Sequence, residues 1–545
     1  MRGAIDRLTE RYLETIIEDD PIRATSLGFH SRDGELGAFT LEAFEERADH
    51  ARTLLGELES LSLEVEPPDV AIDADVLRIS LQHTVQRHER LRPHERSPSV
   101  YVGAVLSGLN QLVLRDFAPL AERARSFLSR LRQVPDVLDC CVRNMRDAPG
   151  VFIRIGAEQA RGGAAFVRAV VPDIANQVAL LASDLTAAAA DAAHAFEATA
   201  RRLSEREGER ASSFAVGREF FEWLLREVHL LDLDSDELFE LGRGTIKETR
   251  VGMARVAAEI DPDGDWRDII ERLKGEHPEA SGLRDRYKSE MERARRFVIE
   301  RDLVTIPNGE RLDVIDTPVF ARTLLPYAAY MPAGPFEARQ QGFFWVTPVD
   351  TGLPEADRER QLRGHGLRSI PLIALHEGYP GHHLQLVRAN EGKRKARRLA
   401  WNTVFIEGWA LYCEEMMKDA GFLDDPGARL FQLKQMLWRA ARVVVDVGLQ
   451  RGEMTIDDAV NFMMEEAGLE RVNAAAEVKR YTANPTQPSS YLVGKLEIME
   501  IRRNYEKRLG ADFDLKTFHD ALLDVGSVPP RLARRALGIE DGERA

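Results

Sequence analysis

The chain has 545 residues with 90 acidic against 74 basic side chains, a formal net charge of −16, and is 44% hydrophobic and 30% charged. These values describe a globular chain with material for a large core. The acidic balance argues against nucleic acid or an anionic membrane as partner, because both favour basic surface.

The opening segment MRGAIDRLTERYLETIIEDD carries acids throughout and has no apolar core of signal-peptide length. No apolar run approaches the ~18 residues that a membrane span needs. Cys140, Cys141 and Cys413 are too few for a disulfide framework. The expectation is a cytoplasmic chain with no membrane partner.

Leu8, Tyr12, Ile16 and Ile17 recur at helical spacing before Pro21, as do Phe44, Ala48, Ala51, Leu54 and Leu55 further on. Pro67 and Pro68 interrupt the pattern, and Val70 to Gln86 resumes it. From Glu158 to Arg202 the chain is rich in alanine, a strong helix former whose small side chain suits close helix packing. His194 lies on this stretch without metal-ligand neighbours and reads as an ordinary histidine. Residues 208–212 read as a loop, and Phe214 to Arg250 returns to helix.

Between Val304 and Thr351 the texture changes. Leu303–Ile306, Leu312–Ile315 and Gly342–Thr347 are short β-branched or aromatic runs bounded by Pro, Gly and Asn, which predicts a small sheet. Tyr330 to Phe336, with two prolines and a glycine, reads as irregular. An edge strand here either pairs with an extended peptide or merely closes the lobe.

Helices follow. Ser369 stands as N-cap with Pro371 in the first turn, Asn402 to Ala420 stops at Gly421, Ala428 to Arg451 comes next, and Thr455 with Asp458 forms a capping box. The expected fold class is mainly α, a large multi-helix peptidase-like fold with a small β-sheet beside a metal-binding helix. A helical scaffold lobe over 1–300 and a catalytic lobe over 301–545 would form one continuous family domain.

The chemistry concentrates in LHEGYPGHHLQ, Leu375 to Gln385. Two imidazoles can hold zinc, and the carboxylate beside the first can take a proton from a metal-activated water. In a regular helix His376 and His383 would be separated by roughly 10.5 Å of rise, too far for ligands about 2 Å from one ion. Pro380 lacks an N–H and its ring clashes with the His376 carbonyl, while Gly378 and Gly381 permit unusual backbone angles. The interval therefore reads as a bulge that returns a later histidine to the metal. His382 needs less distortion than His383, which is left as a supporting or substrate-contacting group.

A catalytic zinc takes a third protein ligand, and Glu407 is conspicuous among Val404, Phe405, Ile406 and Trp409. Its alternative is an ion pair with Arg439 or Arg442. HEGYPGHHLQ, EGWALYCEE, Tyr481 with Pro485, Ser490-Tyr491 with Gly494, the terminal Phe513–Leu523 segment with Gly526, and Pro21, Thr25 and Gly28 together resemble the bacterial family called domain of unknown function 885. The His376-Glu377 pair with Glu407-Gly408-Trp409-Ala410 also resembles the gluzincin metallopeptidases. That resemblance implies zinc held by His376, Glu407 and a histidine of the His382–His383 pair, with Glu377 as general base. Gluzincins often carry an acid four residues after the glutamate ligand, where this chain has Leu411; Glu414, one turn later, is placed to orient a ligand histidine instead.

Tyr491 is the candidate oxyanion donor, with Tyr481 as second choice. Lys495 and Arg502 read either as binders of a substrate carboxylate or as surface charge. The reading is a zinc-dependent metallopeptidase acting on short peptides. A metal-dependent amidase or esterase, or a non-catalytic helical binding protein, stands as the alternative, and the oligomeric state is left open.

Overall fold

The fold is described from a computed structural model for residues 2–61, 67–206, 213–317, 322 and 327–539; the loop expected at 208–212 lies outside the described residues. The chain forms two compact units, one of Met1–Phe214 with Val319–Thr323 and Gly334–Ala338, the other of Ala215–Pro318, Leu324–Ala333 and Arg339–Ala545. The main stretch of the first unit ends at Phe214, and Gly242 shows why the helices that follow group with the later chain. A Cβ there would meet Val444 at 2.9 Å, so the helix Ser235–Ile260 lies close against the helix Pro426–Gln450 and belongs with the later chain.

The first unit is helical. Its alanine-rich stretch is two helices, Gly150–Gln177 and Ala182–Glu205, rather than one. They approach closely because Gly163 faces Phe196, where a Cβ would lie 2.6 Å from the ring. His194 is exposed, as an ordinary histidine would be.

A polar knot ties the start of this unit to its centre. Arg130 is fully buried and gives Nη2 to Thr25 Oγ1 at 2.7 Å and Nε to the Glu35 carbonyl at 3.0 Å; Thr25 in turn donates to Asp33 at 2.7 Å. Gly28 has φ +100°, and a Cβ there would sit 2.5 Å from the Glu337 nitrogen. Only glycine fits both the left-handed backbone and that approach.

In the second unit six helices bear on the candidate site: α1 (Leu283–Glu300), α2 (Ile370–Glu377), α3 (His382–Glu391), α4 (Thr403–Asp419), α5 (Pro426–Gln450) and α6 (Gln487–Leu509). The expected caps are present at Asn402, which accepts from the Phe405 nitrogen, and at Thr455 with Asp458. Ser369 occupies the N-cap position of α2 but makes no capping bond; its hydroxyl donates backwards to the Gly366 carbonyl at 2.9 Å.

The sheet has three strands, β1 (Arg311–Asp316), β2 (Ala328–Met331) and β3 (Gln341–Val346), in the order β1-β3-β2, with β1 parallel and β2 antiparallel to β3. Leu303–Ile306 is not a strand. Its polar groups go to the C-terminal segment instead: Thr305 bonds Asp520 through both its nitrogen (2.9 Å) and its hydroxyl (2.6 Å), and His519 bonds the Leu303 carbonyl at 2.7 Å. The segment read as irregular begins as β2, and its prolines fall after the strand ends. Tyr287 and Met291 of α1, Phe344 and Val346 of β3, and Ile370 and Ala374 of α2 share one core. The sheet is thereby packed against the first histidine helix.

His30 bonds Asp33 at 3.0 Å and approaches Glu337 at 3.3 Å. Burial alone would lower its pKa; the two carboxylates outweigh burial and raise it to about 9. A raised folded-state pKa stabilises fully below the unfolded value near 6.5, and that stabilisation is lost as pH rises through about 9. The wild-type melting temperature is therefore expected to fall between pH 6.5 and 9 more steeply than that of His30→Gln, a difference of at most about 3 kcal/mol. Parallel slopes in a thermal melt series would remove the assignment.

Candidate metal centre

Helix α2 stops at Glu377 and α3 starts at His382, so the interval is a break between two helices rather than a bulge within one. The turn is tight. The Gly378 nitrogen bonds the Ala374 carbonyl and the Gly381 nitrogen bonds the Leu375 carbonyl, both at 2.9 Å. A Cβ on Gly381 would stand 1.8 Å from the His376 oxygen, which excludes any other residue there without backbone movement. The Pro380 carbonyl, exposed by the break, accepts from Trp409 Nε1 of α4 at 2.8 Å. Because the helix ends, axial rise no longer separates the histidines, and the His376 and His382 rings meet edge to face at 4.8 Å between centroids.

Among the described residues His376, Glu377 and His382 place ligand atoms within 4.8 Å of one another, close enough to hold one ion. His376 Nδ1 lies 2.8 Å from Glu414 Oε1, which fixes the ring and leaves Nε2 available. His382 Nε2 lies 3.3 Å from Glu407 Oε2. Two ligands about 2.0–2.1 Å from a tetrahedral zinc stand about 3.3 Å apart, so this pair fits a shared ion. His382 Nδ1 is buried without a hydrogen-bond partner, so Glu407 supplies the ring's polar contact.

His383 goes elsewhere. Its Nε2 is 2.7 Å from Glu310 and its Nδ1 is 3.1 Å from the Tyr330 hydroxyl, so both nitrogens are committed. Tyr379 donates to the same Glu310 carboxylate at 2.6 Å. Glu310 was not legible from the sequence, since it stands in a loop before β1 with no periodic pattern around it.

Glu407 is brought to the histidines by a close helix crossing. A Cβ on Gly494 would lie 1.8 Å from the Val404 oxygen, and one on Gly408 would lie 2.3 Å from the Gly494 carbonyl carbon. The backbones of α4 and α6 therefore touch. Tyr491, one turn before Gly494, comes beside Glu407, and Gln487 Nε2 lies 3.3 Å from both Glu407 Oε1 and the Tyr491 hydroxyl. Burial would raise the Glu407 pKa, but the His382 bond, the charges of His382 and His376 and a bond from Tyr491 hold it at about 2. The carboxylate is ionised and suited to a cation.

Tyr481 is not at this centre. It donates to Glu477 at 2.5 Å and accepts from Arg442 Nε at 2.8 Å, deep in the fold. Arg442 also pairs with Glu477 at 3.0 Å, and neither it nor Arg439 forms an ion pair with Glu407. Lys495 reaches Glu415 at 3.4 Å, and Arg502 donates to the Tyr412 hydroxyl at 3.2 Å. Both cations are spent on structural contacts.

The model of a family described as bacterial protein of unknown function (DUF885) matches residues 21–537. The chain belongs to this family. A protein described as a "putative lipoprotein" of unknown function from Shewanella oneidensis has a similar structure, with TM-score 0.80 and 24% identity, over 98% of this chain and 100% of that one. A "putative lipoprotein" from Colwellia psychrerythraea gives TM-score 0.86 and 18% identity over 98% of both chains. No curated protein matches the chain. At these identities the fold is what this DUF885 chain shares with the two structures.

Their description as lipoproteins overturns the cytoplasmic location expected above. The reason is physical: the acids between residues 6 and 20 stand at the surface of the folded domain and the three free cysteines are buried within it, and neither feature encodes where a chain is delivered. No helix among the described residues is long and apolar enough to cross a membrane.

Gly494→Ala is expected to cost about 3 kcal/mol or more, because its Cβ meets backbone that cannot swing aside. Gly103→Ala, where nothing lies within 4 Å, should be neutral or stabilising by about 0.5–1 kcal/mol. Thermal melts of the two variants compare these costs; equal effects would contradict the close crossing.

Proposed function

We propose that this DUF885 protein is a zinc-dependent hydrolase of amide bonds in short peptides. The observation that supports it is the pairing of two histidines with two separate carboxylates, His376 with Glu414 and His382 with Glu407, around Glu377. The resemblance of the His376-Glu377 pair and the Glu407-Gly408-Trp409-Ala410 run to gluzincin motifs favours the same reading, although the interval between the histidines is longer than theirs. In it His376, His382 and Glu407 hold the metal, and Glu414 acts through His376.

Zinc, when bound there, supplies a Lewis acid that polarises the scissile carbonyl and makes water acidic enough to be deprotonated near neutral pH. Glu377 serves as general base, taking the proton from the attacking water and returning it to the departing amine. Its side chain is only partly buried, so it can reach a substrate as well as the two histidines. Tyr491 donates a hydrogen bond from its hydroxyl to the oxyanion of the tetrahedral carbon. Burial and the Glu407 charge raise its pKa, which keeps the phenol protonated for that role.

Glu377→Gln is expected to retain one zinc per chain and to lose about 10²- to 10⁴-fold in turnover. Glu414→Gln should weaken zinc affinity about 10- to 100-fold while leaving the three ligands in place. Elemental analysis with peptide-hydrolysis assays checks both. A wild-type chain that takes up no zinc after reconstitution, or a zinc-loaded Glu377→Gln with full activity, rejects the reading.

A further inference from the structure

Arg439 on α5 is a buried cation without a counter-ion. It is 9% exposed, and its hydrogen bonds go to Gln435, with no carboxylate among the described residues paired to its guanidinium. Its Nη1 is occupied by the carbonyl and side chain of Gln435, one turn earlier. Its Nε is buried with no hydrogen-bond partner. The guanidinium carbon stands 5.6 Å from the Tyr491 ring centroid and 5.3 Å from that of Trp438. Arg442, three residues on, shows what a satisfied arginine looks like here, with Glu477 at 3.0 Å and the Tyr481 hydroxyl at 2.8 Å.

The groups acting on Arg439 are those of the candidate centre. Burial disfavours its charge most strongly, Glu414, Tyr491 and Glu407 favour it, and Arg442 opposes it. His382 in turn feels Arg439. An arginine with an idle Nε–H beside the general site of reaction, buried and unpaired, is costly unless an anion arrives to meet it.

We propose that Arg439 binds a carboxylate of the substrate, so that the preferred substrates are short peptides or acylated amino acids carrying a free carboxylate close to the bond that is cleaved. A planar monoanion suits the guanidinium fork. The proposal rests on the hydrolase reading above and gives it a substrate class. Two sources share this chemistry, the terminal α-carboxylate and an acidic side chain.

The test uses the full chain, zinc-loaded and zinc-free, as wild type, Arg439→Gln and Arg439→Lys. The zinc-loaded proteins are assayed on benzoylglycyl-phenylalanine, its C-terminal amide, and benzoylglycyl-glutamic acid α-amide, and benzoylglycine and its amide are titrated into the zinc-free proteins by calorimetry. Wild type should prefer the free acid over the amide by about 10- to 150-fold in kcat/KM, the loss expected for a charged hydrogen-bonded pair. In Arg439→Gln that ratio should fall to near one, with Arg439→Lys between. Cleavage of the glutamic acid α-amide at a comparable rate assigns the carboxylate to a side chain, and its failure assigns it to the terminus.

Zinc content should hold in both variants, and the melting temperature should hold or rise in Arg439→Gln, since removing a costly unpaired charge relieves the fold whereas removing a merely structural arginine would lower it. Wild type cleaving acid and amide equally, or Arg439→Gln keeping the preference, overturns the proposal while leaving the hydrolase intact. Absence of hydrolysis with Arg439-dependent binding of benzoylglycine over its amide does the reverse.

Discussion

The Pro380 carbonyl and the Trp409 indole N–H fix the relation between the histidine helices and the helix carrying Glu407. The bond itself contributes only about 1 kcal/mol net. Burial of the indole, which is fully enclosed, contributes about 3 kcal/mol, so packing supplies most of the stabilisation and the bond supplies direction. A carbonyl freed by the break between α2 and α3 would otherwise be an unsatisfied buried acceptor, and α4 is where it finds its donor. The same contact sets the separation of His382 and Glu407, because both lie within a few residues of its two ends.

Around that anchor, charge is distributed unevenly. Glu407, Glu414 and Glu310 each hold a histidine, and in a medium of low dielectric such pairs are far stronger than at the surface. Each carboxylate therefore fixes one ring and one orientation. Arg439 breaks the pattern as a charge with no opposite partner. Unpaired charge inside a fold is destabilising in isolation, and it is retained where a function compensates.

Much of the local structure was legible because its signals are local. Asn402, Thr455 with Asp458, and Gly421 mark helix ends through bonds to residues three or four away, and the sequence displays them directly. The ligand candidates His376, His382 and Glu407 were legible for a related reason, since a carboxylate among Val404, Phe405, Ile406 and Trp409 has few other uses. What escaped depended on distant partners. Leu303–Ile306 has strand composition, yet Asp520 and His519 take its backbone. Ser369 has a cap residue's identity, but its hydroxyl turns back to Gly366. Pro380 and Gly381 announce a distortion without saying whether the helix bends or ends. That choice was made by the Trp409 donor, 29 residues further on.

The adjacent histidines illustrate how the break and the sheet work together. Successive residues on a helix project about 100° apart, so His382 and His383 at the start of α3 cannot face the same partner. With His382 turned to Glu407 on α4, His383 is obliged to face the strands, where Glu310 and Tyr330 take its two nitrogens. Gly342 of β3 permits that approach, since a Cβ there would lie 2.8 Å from His383 Nδ1. The small sheet thus clamps the ring that is not at the centre, and through it the first turn of α3 holds the ring that is. A strand residue and a loop carboxylate far from the reacting groups in sequence in this way govern the aim of His382.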